Sequence, residues 1–177
     1  MLLAKRLADA LTAGRALLAL VLAGLSWPRG EELLPVAALV LLACWCTDLF
    51  DGALARRSGI SEQTWIGSHD LEADALVSLG VLAYLVGSGY LALVYAMVYL
   101  LLWAVIFQRW GWRREPAMLF QAPIYLWFLT VALRDAPTVG IWLVAWIVAV
   151  VVVTWPRFPD EVVPGFVDGM RRALRQD

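Results

Sequence analysis

Charge is what this sequence has least of. Asp, Glu, Lys and Arg make up 16% of its 177 residues, against roughly 25% in a soluble domain. Hydrophobic residues make up 62% and the mean hydropathy is +0.75. A soluble protein of this size has too much surface to hide that much apolar side chain. Composition therefore excludes a soluble globular enzyme, a disordered chain and a nucleic-acid binder. Cysteine is nearly absent. Cys44 and Cys46 lie two apart in an apolar run, so on a helix they point to nearly opposite sides and cannot bridge. Neither a disulfide framework nor a zinc site is expected. Histidine occurs once, as His69 beside Asp70. It sits about 100° around a helix from that acid, a position that suits surface or supporting duty better than ligation. No internal repeat or low-complexity linker interrupts the chain, and residues 1–177 read as one domain.

What is present in quantity is long apolar sequence. A membrane-spanning helix needs roughly 20 mostly apolar residues, and six stretches approach that: Leu11–Trp27, Leu33–Arg57, His69–Val86, Tyr90–Gln108, Pro116–Leu133 and Pro137–Trp155. The turn Gly87-Ser88-Gly89 separates the third from the fourth. The expected fold is all-α, a polytopic membrane protein of six transmembrane helices with short amphipathic helices at both ends. Phe166, Val167, Met170, Ala173 and Leu174 recur at helical spacing opposite Arg171, Arg172 and Arg175, the pattern of a helix lying on an anionic leaflet. Met1 to Ala10 is read the same way. With the N-terminus in the cytoplasm, Lys5, Arg6, Arg15, Arg56, Arg57, Arg109, Arg113, Arg114, Arg157, Arg171, Arg172 and Arg175 fall on that side, and only Arg29 and Arg134 fall opposite. That bias is the positive-inside rule. It predicts both termini in the cytoplasm, in a plasma or inner membrane. Trp27, Trp110, Trp112 and Trp155 lie near helix ends, where an interfacial aromatic belt accounts for them.

Most acids fall in loops or tails, but Asp48, Asp51, Asp70 and Asp74 do not. The first two end an apolar helix and the last two begin another. On a helix Asp48, Asp51, Gly52 and Ala55 share an arc of about 100°, and Asp70 and Asp74, four apart, share a face. The short connection Ser58–Gly67 makes the two helices antiparallel neighbours, so their acidic faces are expected to meet near the cytoplasmic surface. Two carboxylates at about 4 Å repel by roughly 4 kcal/mol at an effective dielectric of 20. Either some acids stay protonated or cations bind, and all-oxygen ligation favours Mg²⁺, Mn²⁺ or Ca²⁺. Two such ions suit transfer of a phosphoryl-type group. The alternative is that the acids pair with Arg15, Arg56 and Arg57 or line a water-filled cavity.

The run Asp48-Leu-Phe-Asp51-Gly52-Ala-Leu-Ala55-Arg56, followed by Asp70-Leu-Glu-Ala-Asp74, resembles the signature of the CDP-alcohol phosphatidyltransferases, D-x-x-D-G-x-x-A-R, a gap, then G-x-x-x-D-x-x-x-D. The resemblance implies transfer of a phosphatidyl group from CDP-diacylglycerol to the hydroxyl of a small alcohol, with release of CMP. It implies that Asp48, Asp51, Asp70 and Asp74 hold two divalent cations, Mg²⁺ or Mn²⁺, with Asp74 also the catalytic base. Gly52, Ala55 and Arg56 would cradle the cytidine diphosphate, Arg56 through charge-assisted bonds. Family members are often homodimers.

The chain departs from the signature in three places. Two residues rather than three separate Gly67 from Asp70, and the gap after Arg56 is one longer than usual. The run Asp9-Ala-Leu-Thr12-Ala-Gly-Arg15 resembles the P-N-x-L-T-x-x-R start of glycerophosphate-type members, with Asp9 in place of Asn. The K-x-K-T segment those members carry before the fifth span is missing, and Arg109, Arg113 and Arg114 occupy that region. Glycerol 3-phosphate is the first expected acceptor, with inositol phosphate, serine or another alcohol behind it.

Two competing readings are a Mg²⁺-dependent intramembrane prenyltransferase and a small non-enzymatic carrier of ions or substrate. The first usually has two separated Asp-rich clusters. The second predicts acids near mid-membrane and often repeat symmetry. This sequence has one constellation, at one end, and no repeat.

Overall fold

A computed structural model describes residues 2–27, 30–58, 70–155, 160 and 163–175, with side chains described for 10–27, 30–49, 70–155, 160, 164–169 and 171. The described residues form helices without any strand: α1 (Leu2–Gly24), α2 (Leu34–Ser58), α3 (Asp70–Gly87), α4 (Leu93–Trp110), α5 (Arg114–Asp135), α6 (Pro137–Thr154) and α7 (Val163–Arg175). The breaks follow local chemistry. Gly89 and Gly111 take φ of 76° and 75°, a region that glycine enters without steric cost. Gly111 closes α4 by donating its N–H to the Phe107 carbonyl. Pro137 opens α6 at a first-turn position, where its missing N–H costs no helical bond.

Three helices, Leu93–Trp110, Arg114–Asp135 and Pro137–Thr154, are long and apolar enough to cross a bilayer, and they mark the chain as a membrane protein. Among the residues with described side chains, α1 and α2 add the apolar stretches Ala10–Gly24 and Leu34–Leu49. In α3, Asp70, Glu72 and Asp74 sit in the first turns, and residues 75–87 that follow carry no charge. Charge gathered in one part of the chain is thus what separates α3 from α4, α5 and α6. The N-terminal interfacial helix expected over Met1–Ala10 is not a separate element, because residues 2–10 continue α1. At the other terminus α7 is a distinct helix, and its Gly169 brings it against the Glu115 carboxylate at the start of α5.

Helix order differs from the expected hairpin. α1 packs along both α2 and α3, which touch each other only slightly. Thr12, Arg15, Ala19 and Leu22, at spacings of three and four, form the buried face of α1. The helix lies parallel to α3. Arg15 pairs with Asp74, Ala19 abuts Gly80, and Ser26 abuts Gly87, so the register rises together along both helices. Gly80 makes this approach close, since a Cβ there would lie 2.4 Å from the Ala19 carbonyl oxygen. Small residues at such crossings are the usual means of tight helix packing in lipid. α3 is buried on most sides, against α1 and against the α5 face of Phe120, Ile124, Phe128 and Val131. The Tyr84 hydroxyl, within this core, donates to the Gly30 carbonyl. α6 leans on α5 and α2. α4 is outermost, with Ala96 its buried residue.

Gly80→Val should overpack the α1–α3 crossing by about 1–3 kcal/mol. The expected readout is a lowered melting temperature of the detergent-solubilised protein, with Gly14→Ala, a position with nothing within 4 Å of a new Cβ, as control. An unchanged melting temperature for Gly80→Val would contradict the close crossing.

Candidate metal centre

Three helices deliver the charged side chains to one place. α1 contributes Arg15, α2 contributes Asp48 near the end of its apolar stretch, and α3 contributes Asp70 and Asp74 from one face. The Arg15 guanidinium donates through Nη1 to Asp48 Oδ1 at 2.6 Å and to Asp74 Oδ1, and through Nη2 to Asp70 Oδ1. Its side chain is 1% exposed, whereas those of Asp48, Asp70 and Asp74 are 50%, 47% and 32% exposed. The arginine therefore lies beneath the acids, and the acids form the open side. A guanidinium suits the position because its planar fork of donors reaches several carboxylates at once. With all three acids ionised, one positive charge against three negative leaves the cluster two negative charges in excess.

The expected meeting of acidic faces occurs by a different route. Asp48 comes near Asp70 and Asp74 although α2 and α3 touch only slightly, because both helices pack mainly on α1. Arg15, midway along α1, gathers the three acids. Asp51, Gly52, Ala55 and Arg56 continue α2, but their side chains lie outside the described residues, as do those of Arg57 and His69. The expected fourth ligand and the expected nucleotide cradle therefore have no described geometry.

One oxygen from each of Asp48, Asp70 and Asp74 lies within 4.8 Å of the others. Opposite ligands of a divalent cation are separated by about 4–5 Å, twice a metal–oxygen distance of roughly 2.0–2.6 Å. The spacing and the hard, all-oxygen donor set thus fit one Mg²⁺, Mn²⁺ or Ca²⁺ ion. The two surplus negative charges match such an ion's charge.

Beside the acids lies a polar cavity of about 150 Å³, with Arg15, Asp48, Asp74, Gln121 and Tyr125 in its wall. A second cavity of about 460 Å³ runs between α2, α5 and α6, walled mainly by apolar side chains such as Leu126, Leu129, Ile147 and Val150. Trp45, Asp48 and Tyr125 belong to both walls, so a charged compartment and an oily one meet there. The Trp45 ring meets Tyr125 edge-on at 5.6 Å and Trp146 at the same centroid distance. Trp146 also donates to the Cys46 sulfur at 3.1 Å, which joins α6 to α2. Gln121, Tyr125 and Trp45 were not identifiable from sequence, because their relevance depends on how α5 and α2 pack. Arg15 did carry a signal, as the lone cation in an apolar run.

No family model, curated protein or solved structure matches the chain.

Replacing Asp48, Asp70 and Asp74 together by Asn would strand the buried guanidinium. Breaking a buried pair by removing one side costs about 3–5 kcal/mol, so the triple variant should melt well below the parent in cation-free detergent. Asp135→Asn, at an exposed site, should not. Equal melting temperatures for the parent and the triple variant would show that the acids do not hold Arg15.

Proposed function

We propose that the chain is an integral-membrane transferase that moves a phosphatidyl group from CDP-diacylglycerol to an alcohol hydroxyl and releases CMP, as the resemblance of its D-x-x-D-G-x-x-A-R run implies. The observation that carries the reading is the convergence of Asp48, Asp70 and Asp74 beside an apolar cavity. A substrate with a charged diphosphate and long acyl chains needs such a boundary between two solvents. In this reading six helices span the bilayer, with the acids and both termini on the cytoplasmic side, in a plasma or inner membrane. A homodimer is compatible with it. Glycerol 3-phosphate is the first acceptor to test.

The residues divide the work as follows. Asp48, Asp70 and Asp74, with Asp51 from the same helix as Asp48, would hold two divalent cations, Mg²⁺ or Mn²⁺. Such ions, when bound, neutralise phosphate oxygens and stabilise the oxygens that enter and leave. Asp74 takes the proton of the acceptor hydroxyl. The hydroxyl oxygen bonds to the phosphorus that carries diacylglycerol, the bond from that phosphorus to the CMP oxygen breaks, and CMP departs. By the resemblance, Gly52 and Ala55 would cradle the cytidine diphosphate and Arg56 would bind its diphosphate. Trp45 and Tyr125, shared by both cavities, stand where the phosphate would join the lipid.

Purified protein with Mg²⁺ or Mn²⁺ should release CMP from CDP-diacylglycerol only when an acceptor is present, and a chelator should stop it. No release with glycerol 3-phosphate, inositol phosphate or serine would end this reading. Loss of a general base costs about 10²–10⁴-fold in rate, so Asp74→Asn should lose that much while still binding nucleotide. Asp48→Asn should also weaken cation binding. A near-normal rate for Asp74→Asn would remove it from the base role.

A further inference from the structure

A single buried guanidinium holds one oxygen of each of the three candidate ligand carboxylates. Arg15 Nη1 lies 2.6 Å from Asp48 Oδ1 and also reaches Asp74 Oδ1, while Nη2 reaches Asp70 Oδ1. A cation bound to any of these oxygens at roughly 2.0–2.6 Å would lie against a positively charged nitrogen. Two cations on the same oxygen repel at such short range, so an ion that takes Oδ1 of these acids competes with Arg15. The layering is also one-sided. Arg15 is sealed beneath, and the acids are open above, so an ion arriving from the polar cavity meets carboxylates whose inner side is already held.

We propose that Arg15 is a built-in counter-cation for the metal centre: it holds Asp48, Asp70 and Asp74 together when no divalent ion is bound, and a divalent ion must displace it from those oxygens to bind. The proposal rests on the reading of these acids as cation ligands. It explains why three carboxylates from two separate helices lie within 4.8 Å of one another despite their mutual repulsion. It also gives Arg15 a second position. Once off the acids, the guanidinium still borders the cavity walled by Gln121 and Tyr125, where its fork of donors suits a phosphate group. Ion loading would thus free an anion-binding group at the moment the acids become occupied. Arg15 acts here as a positioning residue, through the ligands it holds.

Competition has a signature that simple structural support lacks. If Arg15 only braced the acids, removing it would loosen the ligand set and weaken ion binding. As a competitor, its removal strengthens binding. The test is Mn²⁺ binding by the whole purified protein in detergent, followed by electron paramagnetic resonance of free Mn²⁺, for wild type, Arg15→Met and Arg15→Lys. The expected result is at least tenfold tighter Mn²⁺ binding by Arg15→Met, with Arg15→Lys between it and the wild type. Arg15→Met should also melt lower than wild type without cation and regain more stability on Mn²⁺ addition. Equal or weaker Mn²⁺ binding by Arg15→Met, with the wild type binding measurably, overturns the competition and leaves the metal centre intact. Absence of binding by wild type and both variants overturns the metal reading itself. Should Arg15→Met not fold, wild type labelled with ¹⁵N-arginine decides the matter. Saturating Mg²⁺ should shift the side-chain resonance of the buried arginine, and an unmoved resonance with Mg²⁺ bound refutes displacement.

Discussion

The bonds from Arg15 to Asp48, Asp70 and Asp74 are the constraint on which the rest of the site depends. A guanidinium exposed to the extent of 1% is tolerable among apolar helices only if its charge is met by carboxylates in good geometry. Three acids meet it, and together they tie the middles of α1 and α2 to the start of α3. Beyond the cluster, the described side chains of α1 and α3 meet through apolar and small-residue contacts, closest where Gly80 faces Ala19. The crossing sets how near α3 comes to α1, and hence whether one arginine can reach both Asp70 and Asp74. Packing at Gly80 and charge geometry one turn away at Arg15 are therefore one problem.

The chemistry follows from what surrounds that cluster. An acid-rich cavity and an apolar one are contiguous at Trp45, Asp48 and Tyr125. Few reactions need both solvents at one point. Chemistry on the polar head of a lipid does, since the head must reach ions and acids while the tails stay in oil. The proposed phosphatidyl transfer is of that kind. A carrier would need its acids along a path across the membrane, whereas Asp48, Asp70 and Asp74 gather at one place.

Much of the architecture was legible in the sequence. The apolar runs became helices because little else satisfies backbone groups in lipid. The turn at Gly87-Ser88-Gly89 and the opening of α6 at Pro137 lie where glycine and proline place them. Asp70 and Asp74, four apart, do share a face. Two things were not legible. That α1 rather than α2 is the main neighbour of α3 depends on the close fit at Gly80, and a glycine within an apolar helix does not reveal which neighbour it will meet. The contributions of Gln121 and Tyr125 on α5 depend on tertiary packing, and nothing in their local sequence distinguishes them from other polar or aromatic residues of a membrane helix. Charge did carry information at both scales. The one arginine in the first apolar run and the acid cluster found among the described residues prove to be partners.

The central claim is that these aspartates are the ligands of a divalent cation. Crystals grown with ample Mn²⁺ test it most directly, by anomalous diffraction at the manganese edge. The account predicts a peak bonded to Asp48, Asp70 and Asp74, with the Arg15 guanidinium withdrawn from their inner oxygens. An anomalous map without a peak there, and with Arg15 still seated among the three carboxylates, would contradict it.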